Sequence, residues 1–308
     1  MRDAQAFPGR ALAAPTSPER GGPRALLARA AAATPPPALV LISILSVQLG
    51  AALAVELFAA LGPAGVVFLR VGFSAVLLLA AARPRLGPEL RRHAGPLLLF
   101  GAVIAGMNLC FYEAIARIPL GITVTVEFVG PLAVAVATSR RLVDFLWIAL
   151  AGAGVALLSP EVGGALDPLG LAFAVIAGAG WGCFVLLSRR IGQAFPGNAG
   201  LAFGMAIATI LLLPAALLGG AAARLDPLVL LGAFAVAVLA ATIPFSLEFE
   251  ALKRLPPRVY GVLVTLEPAV AVAIGVVLLG QAATPRMLLA ASCVTAAAIG
   301  ITFFTRRR

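Results

Sequence analysis

Residues 111–131, "FYEAIARIPLGITVTVEFVGP", and residues 248–268, "EFEALKRLPPRVYGVLVTLEP", align without a gap at an offset of 137. Glu113, Ala114, Arg117, Pro119 and Pro131 recur as Glu250, Ala251, Arg254, Pro256 and Pro268. Ile115 and Ile118 recur as Leu252 and Leu255. Each stretch joins two apolar runs. Five identities in 21 positions, between equivalent runs, predict an internal duplication.

The surrounding runs set the fold class. Ten of them follow the first 37 residues, at about 38–60, 63–82, 95–114, 118–138, 142–159, 168–188, 198–218, 227–248, 257–279 and 286–304. Each is close to the ~20 residues a spanning helix needs. The chain is 61% hydrophobic and only 12% charged, with a mean hydropathy of +1.05. Soluble domains carry about 25% charged residues, so lipid is the expected solvent. The predicted fold is an all-α membrane protein of ten transmembrane helices. The repeat offset corresponds to five runs, an odd number, so the second copy enters the membrane upside down. Two inverted five-helix repeats, 38–159 and 160–304, are predicted, with a disordered basic arm at 1–37 and a basic tail at 305–308. Inverted repeats are a hallmark of secondary transporters.

Charge sets the orientation. Nineteen Lys and Arg fall on one side of the ten runs and three, Arg117, Arg224 and Arg286, on the other. Positive charge collects on the cytoplasmic side, so both termini are expected there, with the chain multi-pass in the inner membrane. The net charge of +10 does not signal nucleic acid, because the arginines sit in short clusters with no basic face interleaved with aromatics. Cys110, Cys183 and Cys293 lie singly inside apolar runs, and the one histidine, His93, lies in the basic loop "RRHAG". That leaves little from which to build a zinc centre or a Ser-His-Asp triad, so no enzyme, metal or cofactor is expected.

A few polar groups sit where lipid makes them expensive. Glu127 lies in "TVTVEFVGPLAVAV", four residues before Pro131. A charge at the centre of a spanning helix costs about 2.5–3.5 kcal/mol on insertion scales, so this carboxylate must face water, a partner or a proton. Glu267 falls opposite Gly130 in the repeat, one turn from Glu127, so the two runs present carboxylates to corresponding faces. Pro131 and Pro268 each free a carbonyl one turn earlier and are expected to kink the helix beside a polar cavity. Glu127 reads either as a substrate-ammonium or proton site or as an interhelical hydrogen bond.

Arg70 and Glu56 flank the turn at Gly62-Pro63 and are expected to pair, with a substrate-carboxylate clamp by Arg70 as the other reading. Asn108 and Tyr112, one turn apart, line the cavity or bond a neighbouring helix. Glu248 reads as a gate or as an interfacial carboxylate. Glu113 with Arg117, and Glu250 with Arg254, have the spacing of local helix pairs. Gly178, Gly180 and Gly182 around Trp181, with Gly200 and Gly204, read as close-packing faces.

The stretches "PLGITVTVEFVGPLAVAVATSRRLVDF" (119–145) and "IPFSLEFEALKRLPPRVYGVLVTLEPAVA" (243–271) resemble the EamA-type branch of the drug/metabolite transporter superfamily, and within it the bacterial threonine/homoserine exporters. The likeness covers about 39–304. It implies a five-plus-five inverted repeat, efflux of small amino acids and coupling to protons, with other amphiphilic metabolites or drugs as the alternative cargo. It also implies roles for Arg70, Asn108, Tyr112, Glu127, Glu248 and Glu267. The arm at 1–37, Glu56 and Glu250 fall outside the family pattern.

Overall fold

Proline and aspartate mark where many of the helices start. The computed structural model describes residues 34–84, 87–130, 133, 142–157, 166–195, 199–219, 226–244, 247, 251 and 263–304. Its helices are α1 (Pro36–Glu56), α2 (Phe58–Ala82), α3 (Pro88–Arg92), α4 (Ala94–Ile115), α5 (Leu120–Glu127), α6 (Leu142–Ala156), α7 (Pro168–Ala194), α8 (Ala199–Leu218), α9 (Pro227–Ala237), α10 (Glu267–Leu279) and α11 (Pro285–Phe304). A π-helical turn, Val238–Thr242, continues α9. No strand occurs among the described residues. Asp167 and Asp226 cap α7 and α9, each accepting the backbone N–H two residues on at 2.9 Å. Pro168 and Pro227 follow them in the first turn, where a missing N–H costs nothing.

Five of these helices, α1, α2, α4, α7 and α8, are long and apolar enough to cross a membrane. Leu146, Ile210, Leu218 and Val277 are two-thirds or more exposed. Large apolar side chains in that position are stable against lipid and costly against water.

The run predicted as a helix over 118–138 is interrupted. α5 ends at Glu127, Phe128 lies in a turn, and helix resumes at 129–130. The run predicted over 257–279 is also interrupted, at Thr265 and Leu266, and α10 starts at Glu267. Phe128 and Thr265 stand 137 residues apart, which is the repeat offset. Prolines account for both sites. Pro131 and Pro268 each come three residues after the turn, lack an N–H and crowd the carbonyl of the previous turn. Pro131 itself lies outside the described residues. Pro268 sits in the first turn of α10, opening that helix instead of bending one. A third break falls inside α2 at Gly62, whose φ of 66° suits a residue without a side chain.

Small residues set how closely the helices meet. A Cβ on Gly130 would lie 1.8 Å from the carbonyl oxygen of Gly178, and one on Gly178 would lie 2.8 Å from that of Glu127. Backbone therefore meets backbone where the end of α5 crosses α7, as the glycine pattern around Trp181 predicts. α7 also packs on α4, and α1 packs on α9 and its π turn. α2 packs on α8, α5 on α10 and α6 on α11. α8 also meets α4, α9 meets α2, and α10 meets α1. Arg117 pairs with Glu113, as the i,i+4 spacing predicts, and reaches Asp167 at 3.7 Å. Glu250 and Arg254 lie outside the described residues.

Candidate functional site

The interruptions at Phe128 and Thr265 adjoin Glu127 and Glu267, which line one cavity. Its volume is about 160 Å³, smaller than the roughly 300–1,000 Å³ of sites for drug-sized ligands and on the scale of a small metabolite. Five of the six residues singled out as binding candidates line it: Arg70 from α2, Asn108 and Tyr112 from α4, Glu127 from the end of α5 and Glu267 from the start of α10. The sixth, Glu248, lies outside the described residues.

Arg70 is held from two sides. One terminal nitrogen donates to Asn108 Oδ1, and the other donates to the Ala240 carbonyl at 3.1 Å. Asn108 is itself fixed by donating Nδ2 to the Ile104 carbonyl at 2.8 Å. The guanidinium lies 5.6 Å from the Tyr112 ring centre. Guanidinium carries five N–H donors, of which these contacts use two, and Nε has no partner among the described residues. The expected pair with Glu56 does not form: Glu56 is exposed, and Arg70 turns inward to Asn108. Equal distance from a turn fixes depth in the membrane but not the direction around each helix, and the Gly62 break alters that direction.

Ala240 belongs to the π turn, where widened hydrogen bonding releases carbonyls from the ladder. Arg70 takes one of them, and Ser46 Oγ donates to the next, Leu239, at 2.6 Å. Nothing in "VLAAT" (238–242) signals this turn, which sequence reasoning missed.

The carboxylates sit on different helix ends. Glu127 closes α5, where the partial negative charge of a helix C-terminus adds to its pull on a cation. Its carboxylate has no hydrogen-bond or ion-pair partner among the described residues; Glu267 is its neighbouring like charge and Arg70 the opposing one. Glu267 opens α10, where helix N–H groups offer positive partial charge, and it accepts from Gln48 Nε2 at 3.3 Å. Gln48, on α1, is 1% exposed and lines the cavity. As a neutral amide in an apolar run it carried no signal of comparable size to a charge. Met107, Phe111, Val124 and Trp181 complete an apolar wall.

The arrangement gathers one guanidinium with spare donors and two carboxyl groups on one partly apolar chamber. Such a chamber suits a small zwitterion, its anionic end on Arg70 and its cationic end toward Glu127 and Glu267.

Comparison with known proteins gives the family. The EamA-like transporter family model matches residues 168–303. The threonine/homoserine exporter RhtA of Escherichia coli (strain K12) is 40% identical over 275 residues, 88% of this chain and 92% of its own. RhtA of Salmonella typhimurium (strain SL1344) is 40% identical over 271 residues, 87% of this chain and 92% of its own. A solved crystal structure superposes with a TM-score of 0.57 at 20% identity, over 88% of this chain and 98% of that one, a likeness of fold alone. Sharing 40% of its residues with these exporters over nearly nine-tenths of its length, the chain is a multi-pass membrane protein that belongs to the EamA-like transporter family.

Proposed function

We propose that the protein exports small amino acids such as threonine and homoserine across the inner membrane, in exchange for protons, by alternating access around this cavity. The observation that carries the reading is the meeting of Arg70, Glu127 and Glu267 on one cavity in a chain whose relatives are named threonine/homoserine exporters. Guanidinium recognises the α-carboxylate with parallel N–H donors, and the carboxylates hold the ammonium. A carboxylate that releases an ammonium when it takes a proton couples the two flows.

The architecture proposed is ten spans in two inverted repeats, 38–159 and 160–304. Packing supports it. If α1, α2, α4, α5 and α6 correspond to α7, α8, α9, α10 and α11, most contacts have counterparts with the halves exchanged. α4 on α7 answers α9 on α1, α4 on α8 answers α9 on α2, and α5 on α7 answers α10 on α1. The interruptions at Phe128 and Thr265 obey the same correspondence and flank the cavity, where broken helices can bend as the halves exchange roles.

Everted vesicles containing the protein, loaded acid inside, are expected to accumulate labelled homoserine and threonine and to lose them when a protonophore is added. Resistance to a drug panel with no movement of either amino acid would replace this reading with efflux of other amphiphiles. The proposed orientation, with both termini cytoplasmic, has its own test. After Cys110, Cys183 and Cys293 are replaced by Ala, a cysteine in the 219–226 loop should react with an impermeant thiol reagent outside whole cells, and one in the 85–93 loop should not. The opposite labelling pattern reverses the orientation.

A further inference from the structure

We infer that Gln48 recognises the side-chain hydroxyl of the substrate, accepting its hydrogen at Oε1 while its amide nitrogen stays bonded to Glu267. The inference rests on the export reading and deepens it. Three residues that line this cavity each carry a buried polar atom with no hydrogen-bond partner among the described residues: Gln48 Oε1, Arg70 Nε and the Tyr112 hydroxyl. A buried polar atom without water or partner is destabilising, so such atoms mark places where a polar occupant belongs.

Their chemistry sorts them. Arg70 is donor only, so it takes the substrate carboxylate. Tyr112 lies against the Arg70 guanidinium, at 5.6 Å, and belongs to the same end of the site. Gln48 is tied instead to Glu267. Its Nε2 donates to Glu267 Oε1 at 3.3 Å. A carboxylate only accepts, so the NH₂ end of the amide is fixed toward Glu267 and the oxygen is the group left over. That oxygen is a neutral acceptor on a cavity that also holds the Glu127 and Glu267 carboxyl groups. The substrate ammonium goes to the charges, and a neutral donor, the hydroxyl, matches the amide oxygen. The flexible stem of Gln48 lets Oε1 meet a hydroxyl on either the β or the γ carbon. The ligand class is therefore small α-amino acids with a short hydroxylated side chain.

One compound tests this for both. Removing the hydroxyl from threonine or from homoserine gives 2-aminobutyrate. Counterflow in proteoliposomes of the full chain, with threonine, homoserine and 2-aminobutyrate competing, is expected to favour each hydroxylated substrate by about tenfold or more. In Gln48→Met, of similar length and without the acceptor, that preference should fall to within about twofold. If Gln48 only positions Glu267, Gln48→Met weakens all three substrates alike, the preference stays as in the wild type, and the inference is overturned. Should the variant not fold, the wild-type comparison still decides: equal transport of 2-aminobutyrate and threonine overturns the inference and leaves the export reading intact. Movement of neither threonine nor homoserine overturns both.

Discussion

Arg70→Ala reaches the membrane in near-normal amount and exports no threonine or homoserine above background. Arg70 makes no direct salt bridge with a carboxylate among the described residues, so its removal breaks no ion pair, although Glu127 loses the opposing charge on its cavity. Removal frees only Asn108 Oδ1 and the Ala240 carbonyl, both beside the cavity, where water can take the vacated place. Loss of two neutral acceptor contacts of this kind is worth about 1–3 kcal/mol of stability. Transport loses more. A bidentate guanidinium–carboxylate contact contributes ~3 kcal/mol or above, so its removal weakens substrate binding by more than about 100-fold. Arg70→Lys keeps the charge but cannot hold Asn108, Ala240 and a substrate carboxylate together, and recovers little. Glu56→Gln serves as the comparison, since exposed Glu56 touches neither Arg70 nor the cavity, and should export normally. Labelled-homoserine counterflow, with membrane abundance measured in parallel, distinguishes these. Wild-type export by Arg70→Ala would remove the residue from the site.

What the sequence announced about this site follows from the cost of charge in lipid. Arg70, Glu127 and Glu267 stand out because each is an ionisable group in an apolar run, and the cavity gathers all three. Asn108 and Tyr112 stand one turn apart and arrive on the same wall. The helix interruptions at Phe128 and Thr265 have a local cause too, the prolines three residues on. Other features have no local cause. The partner of Arg70 depends on how α2 is rotated after the Gly62 break, and α4 then offers Asn108 where α1 does not offer Glu56. The π turn forms in a segment with neither proline nor glycine, and Gly50 is what admits it. A Cβ on Gly50 would lie 2.8 Å from the Ala240 Cβ, so α1 reaches the turn only because that position has none. Gln48 bonds Glu267, 219 residues away, and no periodicity within α1 records that contact.

Glu127→Gln folds and reaches the membrane, and its gradient-driven export collapses. The carboxylate ends α5 at the crossing with α7, where the backbone is fixed by Gly178 and Gly130, so an isosteric amide leaves that packing in place. Charge is what changes. A carboxylate and an ammonium ~4 Å apart attract by about 4 kcal/mol at an effective dielectric constant of ~20. Forfeiting half of that weakens the substrate by ~30-fold, and the amide in addition cannot accept a proton to release it. Glu267 does not replace Glu127, because it sits on the N-terminal end of α10 with Gln48 already bonded to it. The two duties separate experimentally. If Glu127 serves the proton alone, counterflow without a gradient survives in Glu127→Gln while acid-driven accumulation in everted vesicles disappears. If it also holds the ammonium, both disappear. Normal acid-driven accumulation by Glu127→Gln, at equal abundance, would show that the glutamate in this apolar run only joins helices together.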